Sequence, residues 1–140
     1  MPHKSFLWGI LACLLLPVIA GAEDTLYARF GGGERVQAIV NLYVDKVSVD
    51  PRTKRSFEKS DLKRIKRVLA EHLCALMNGP CTYEGDSMRD VHSGHRIDDS
   101  EFLSGVAMMR EVLIEQGIGI EERNEFLALL APMKRDVVDR

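Results

Sequence analysis

The second half of this 140-residue chain carries three imidazoles able to hold or polarise a small ligand: His72, His92 and His95. His92 ends the run Met88-Arg89-Asp90-Val91-His92 and lies between two apolar anchors, Met88 and Ile97. A neutral imidazole so placed can offer one ring nitrogen to a metal while the other donates to a backbone carbonyl. Local sequence alone still favours an ordinary surface histidine, because a lone histidine is more often structural than a ligand. His95 has the polar neighbours Gly94 and Arg96 and is expected to be exposed. Tyr43 adds a hydroxyl that must find a partner if buried. Cys74 and Cys81 form a candidate disulfide, with two free thiols as the alternative. Arg52, Lys54, Arg55, Lys59, Lys63, Arg64, Lys66 and Arg67 crowd one stretch, read as a solvated face with a share available to a carboxylate.

Helices must position all of these groups, since no strand-like alternation runs far enough to build a sheet. Residues 25–30 form a short turn of helix, and Gly31-Gly32-Gly33 a corner. Val36, Ile39, Val40, Tyr43 and Val47 recur at helical spacing, so Tyr43 faces inward, and Asp50-Pro51 stops that helix. A loop holding Phe57 follows. Ser60 or Asp61 caps the next helix, whose apolar stripe is Leu62, Ile65, Leu69, His72, Leu73 and Leu76. Asn78-Gly79-Pro80 ends it. After a short helical segment at His92, Asp98-Asp99-Ser100 offers caps for a helix to Gln116 with the inner stripe Phe102, Val106, Met109 and Leu113. A last helix over 121–138 buries Phe126, Leu127, Leu130, Met133 and Val137 and is kinked at Pro132. The fold class is all-α.

Residues 1–22 read as an export signal: Lys4, an apolar run over 6–19, then Ala20-Gly21-Ala22 before Glu23. The run is shorter than the roughly 20 residues that span a bilayer. The expectation is an exported product, periplasmic if the source is bacterial, cleaved after Ala22 and without an integral membrane segment. The domain 23–140 then has 140 less 22, or 118 residues, with 18 basic against 21 acidic side chains. That balance does not favour nucleic acid. Export also favours the Cys74–Cys81 bridge over free thiols.

Phe30-Gly31-Gly32, Leu42-Tyr43, Phe57, Gly79-Pro80, Tyr83-Glu84-Gly85, the segment at Met88 and Val91-His92, and the tail Pro132-Met133-Lys134-Arg135-Asp136 come in an order that resembles a group I truncated haemoglobin. The resemblance runs from about Asp24 to Val138. It implies a two-over-two helical sandwich enclosing haem, with His92 as the proximal iron ligand and Tyr43 as the distal hydroxyl toward bound gas. Phe57 would pack on the porphyrin, while Ile65 and Leu69 take two distal positions that often carry polar side chains in the family. Their aliphatic character is a departure that leaves Tyr43 as the main distal donor. Met88, Ile97 and Phe102 complete the expected cofactor contacts.

His72 stands where the family usually has an aromatic ring. It is read first as packing at the haem edge, then as a donor to a propionate or water, and last as a distal iron ligand. No Cys-x-x-Cys-His run exists, so the resemblance implies non-covalent haem b. The implied function is reversible binding of a diatomic gas, O2, NO or CO. Nitric oxide dioxygenase activity, dependent on an external reductase, and six-coordinate electron transfer with a redox partner are the alternatives.

Overall fold

The computed structural model describes residues 24–139, so the predicted export signal lies outside the described residues. Seven α-helices are present and no strand among those residues. They are α1 (Leu26–Arg29), α2 (Gly32–Val47), α3 (Leu62–Leu76), α4 (Met88–His92), α5 (Asp99–Glu115), α6 (Ile120–Leu130) and α7 (Lys134–Val137). A 3-10 turn, Lys54–Phe57, precedes α3, and a second, Ala131–Met133, separates α6 from α7.

Local chemistry explains the boundaries. The glycine corner is a left-handed turn, with φ of 100° at Gly31 and 77° at Gly32, a region that side chains disfavour. Helix α2 therefore begins at Gly32, immediately after the turn residue Gly31. Asp61 takes the cap of α3, accepting from Arg64 N at 3.0 Å. At α5, Asp98 and Glu101 form a reciprocal capping box that satisfies two otherwise orphaned amides. The last predicted helix is broken rather than kinked. Pro132 cannot donate to the ladder, and the chain passes through the 3-10 turn before resuming as α7.

The core joins α2 to its neighbours. Val36, Ile39, Val40 and Val44 of α2 meet Leu73 and Met77 from the end of α3, Met109, Val112 and Leu113 of α5, and Phe126 of α6. Phe30 and Phe126 pack with ring centroids 5.3 Å apart. Helix α2 packs most extensively on α3 and next on α5, while α5 also meets α6. This is the two-over-two sandwich, α2 and α3 against α5 and α6. Of the expected α5 stripe, Met109 and Leu113 are buried, joined by Met108 and Val112, whereas Phe102 and Val106 are half-buried.

Candidate functional site

The expected site residues fall into two groups, or walls, one packed on the central core and one outside it. The first is the α2–α3 face. Tyr43, Leu62, Ile65, Leu69 and Leu76 are half-buried and pack against the central core from one side. Tyr43 projects toward α5, where its hydroxyl stands 3.2 Å from the position a Cβ on Gly105 would take. Burial pushes its phenol up to about 12, so it is a neutral donor across the physiological range.

His72 continues the α3 stripe. Its Nε2 is buried and has no hydrogen-bond partner, a distinction it holds alone among the buried side-chain polar atoms described. Desolvation lowers its pKa and keeps the ring neutral. The imidazole meets the Tyr83 ring edge-on, centroids 4.7 Å apart.

The second wall is α4 with the chain on either side of it. Phe57, Met88, His92 and Phe102 are half-buried here, and Ile97 is buried. None of these five belongs to the core cluster that holds Tyr43, Ile65 and Leu69. Helix α4 packs chiefly on α7. Arg55, from the turn that carries Phe57, donates to the carbonyls of His95 at 2.8 Å and Arg96 at 3.0 Å and pairs with Glu101. One guanidinium thus ties the Phe57 turn, the loop after α4 and the start of α5.

His92 sits at the end of α4, where its Nδ1 lies 2.7 Å from the Met88 carbonyl one turn back. A carbonyl only accepts, so the proton is on Nδ1 and the Nε2 lone pair is left free. Burial lowers the His92 pKa and outweighs the hydrogen bond to Met88, which raises it, so the ring is favoured in its neutral form with Nε2 unprotonated. A neutral imidazole with an oriented ring is what an iron ligand requires.

The donor set suits a haem. One oriented imidazole, half-buried apolar side chains from α3, α5 and the Phe57 turn, and an unpartnered buried nitrogen on His72 match a flat apolar group with a metal at its centre and few polar atoms. Gly105 carries no sequence signal, and although Arg55 stands in the basic stretch and Tyr83 in the Tyr83-Glu84-Gly85 motif, their contacts with the His95 and Arg96 carbonyls and with His72 have none either.

The bacterial-like globin family profile matches residues 25–139. The group 1 truncated haemoglobin of Tetrahymena pyriformis is 26% identical over 117 residues, covering 84% of this chain and 97% of that protein. Its ferric crystal structure superposes with a TM-score of 0.79, covering 84% of this chain and all of that one. The group 1 truncated haemoglobin GlbN of Mycolicibacterium paratuberculosis is 26% identical over 113 residues, 81% of this chain and 83% of that one. The fold is also shared with the two-over-two haemoglobin of Synechococcus sp. PCC 7002, which carries covalently attached haem, at a TM-score of 0.77 and 23% identity over 83% of this chain and 99% of that one. The chain belongs to the bacterial-like globin family and is a group 1 truncated globin.

Proposed function

We propose that His92 Nε2 is the axial ligand of a non-covalent haem b and that Tyr43 is the hydrogen-bond donor facing the bound gas. Haem binding and diatomic gas binding follow from membership of the globin family. When bound, haem supplies an iron whose open face takes O2, NO or CO. The observation that carries the assignment is the 2.7 Å bond from His92 Nδ1 to the Met88 carbonyl, which orients the ring and reserves Nε2. Tyr43 Oη donates in its neutral form, while Ile65 and Leu69 exclude water without adding hydrogen bonds of their own.

Two features support non-covalent attachment. The chain has no Cys-x-x-Cys-His run. Cys74 and Cys81 lie with Cα atoms 5.9 Å apart and joined to each other, within disulfide dimensions. That pairing suits export of the chain through the segment 1–22, to the periplasm if the source is bacterial. A mature product beginning at Glu23, seen by mass spectrometry of the exported protein, is the expected result.

The unpartnered Nε2 of His72 favours one second reading, six-coordinate iron with a redox partner. An absorbance spectrum of the purified protein with haem, ferric, reduced, and reduced with CO, separates the readings. Haem uptake lost in His92→Ala, with a five-coordinate reduced form that shifts on CO, is expected. A six-coordinate reduced form abolished by His72→Leu transfers the weight to electron transfer. Haem retained fully in His92→Ala overturns the ligand assignment.

A further inference from the structure

We propose that the Cys74–Cys81 pair is a thiol–disulfide exchange site for an external dithiol, and that its state reaches the haem crevice through Tyr83 and His72. The inference rests on the haem reading above.

Four contacts carry it. Cys74 is buried on the last turn of α3, and Cys81, half-buried, is joined to it seven residues on. The end of α3 is held without the sulfurs, because Gly79 N donates to Cys74 O at 2.8 Å and Tyr27 N donates to Met77 O at 3.1 Å. Opening the bridge therefore leaves the helix end in place and releases the chain beyond Gly79. Two residues past Cys81, Tyr83 lies edge-on against His72, which is itself two residues before Cys74 on α3. The Tyr83 hydroxyl donates only locally, to Asp86 O at 2.8 Å, so that bond does not anchor the loop to the body of the protein. The bridge is the covalent tether that keeps Tyr83 on His72.

His72 then passes the change inward. It shares the α3 stripe with Ile65 and Leu69, and its Nε2 is buried without a hydrogen-bond partner. With Tyr83 seated, the ring is held against the loop with its Nε2 closed off. With Tyr83 released, it gains freedom to turn.

The exchange step balances with the dithiol as reductant. A thiolate of the dithiol attacks the Sγ of Cys81, the less buried cysteine, breaking the S–S bond and releasing Cys74 as a thiolate that takes up a proton. The second thiol of the reagent displaces Cys81 from the mixed disulfide, and Cys81 takes up the other proton. The protein gains two electrons and two protons, and the dithiol leaves as a cyclic disulfide.

The test uses the haem-loaded protein in its ferrous CO form, with and without dithiothreitol, thiols being counted in each sample. CO dissociation rate and Fe–C–O stretching frequency are read for wild type, Cys81→Ser, His72→Leu, His72→Gln and Tyr83→Leu. Loss or gain of one neutral hydrogen bond changes a dissociation rate about fivefold. A change of that size is expected in wild type on reduction, reproduced by Cys81→Ser without reductant, and abolished in His72→Leu and Tyr83→Leu. His72→Gln, which keeps a polar end, checks the relay should the leucine variant fail to fold. Equal rates and frequencies in oxidised and reduced wild type overturn the proposal, as does an undiminished response without His72, or two free thiols in air-oxidised protein. Failure to take up haem would instead remove the haem reading on which it stands.

Discussion

Gly105→Ala is the perturbation that most directly reads the gas-facing side of the crevice. Gly105 lies inside α5, and a Cβ there would come 3.2 Å from the Tyr43 hydroxyl, a separation tighter than ordinary van der Waals contact. The phenol must move by a few tenths of an ångström. Alanine also improves helix propensity by about 1 kcal/mol over glycine, which offsets the crowding, so global stability should change by less than about 1 kcal/mol. Displacing the hydroxyl from a bound gas removes one neutral hydrogen bond and should speed O2 dissociation about fivefold. Stopped-flow O2 displacement by CO gives the rate, and denaturant unfolding gives the stability. The double-mutant cycle with Tyr43→Phe isolates the effect: in the phenylalanine background Gly105→Ala should leave the rate unchanged. Equal acceleration in both backgrounds would refute the reasoning, since the alanine would then act without the hydroxyl.

Other outcomes follow from the same contacts. Cys81→Ser opens a ring closed by a sequence separation of 7 and should lower unfolding stability by about 2.5 kcal/mol on the chain-entropy relation, read from urea midpoints. Gly79→Ala puts a Cβ 2.7 Å from both Cys74 Sγ and Tyr27 Cγ, and should cost about 1–3 kcal/mol by overpacking. A midpoint equal to wild type would mean the Gly79 turn yields freely. His72 is held neutral by burial, so the folded protein binds fewer protons there than the unfolded chain. That contribution is present above the ordinary histidine value of about 6.5 and is lost as pH falls below it. Denaturation between pH 7.5 and 5.5 should therefore show a shallower loss of stability in His72→Leu than in wild type.

Much of the framework was legible because it depends on short-range chemistry. The α2 spacing placed Val36, Ile39, Val40 and Val47 in the core, and Asp61 and Asp98 announced their helices as caps. The Cys74–Cys81 pair was a candidate from the cysteine count and the expected export signal. The break at 131–133 was harder, since one proline within an apolar stripe reads equally as a kink or an interruption. On α5 the expected Met109 and Leu113 are buried, while Phe102 and Val106 are only half-buried. Its C-terminal half follows the core at Met108, Met109, Val112 and Leu113, while Phe102 belongs to the other wall. Arg55 holds carbonyls 40 and 41 residues away, and no local pattern encodes such a reach. The same is true of Tyr83 on His72 and of Gly105 beside Tyr43. These are decisions of tertiary packing, taken after the helices exist.

The brevity of α4 and α7 bears on how a rigid, planar guest could enter this molecule. At five and four residues, neither helix would persist alone in water. They rest on each other, and the tail is latched by Asp139 N donating to the Ile97 carbonyl at 2.9 Å. Such a pair is expected to open at a lower free energy than the α2–α3–α5 body needs to unfold. The segment that bears His92 would then also be the way in. Amides of 88–97 and 134–139 would exchange with solvent first and slow most once the guest is seated, so the prosthetic group acts as the bolt on the entrance it came through.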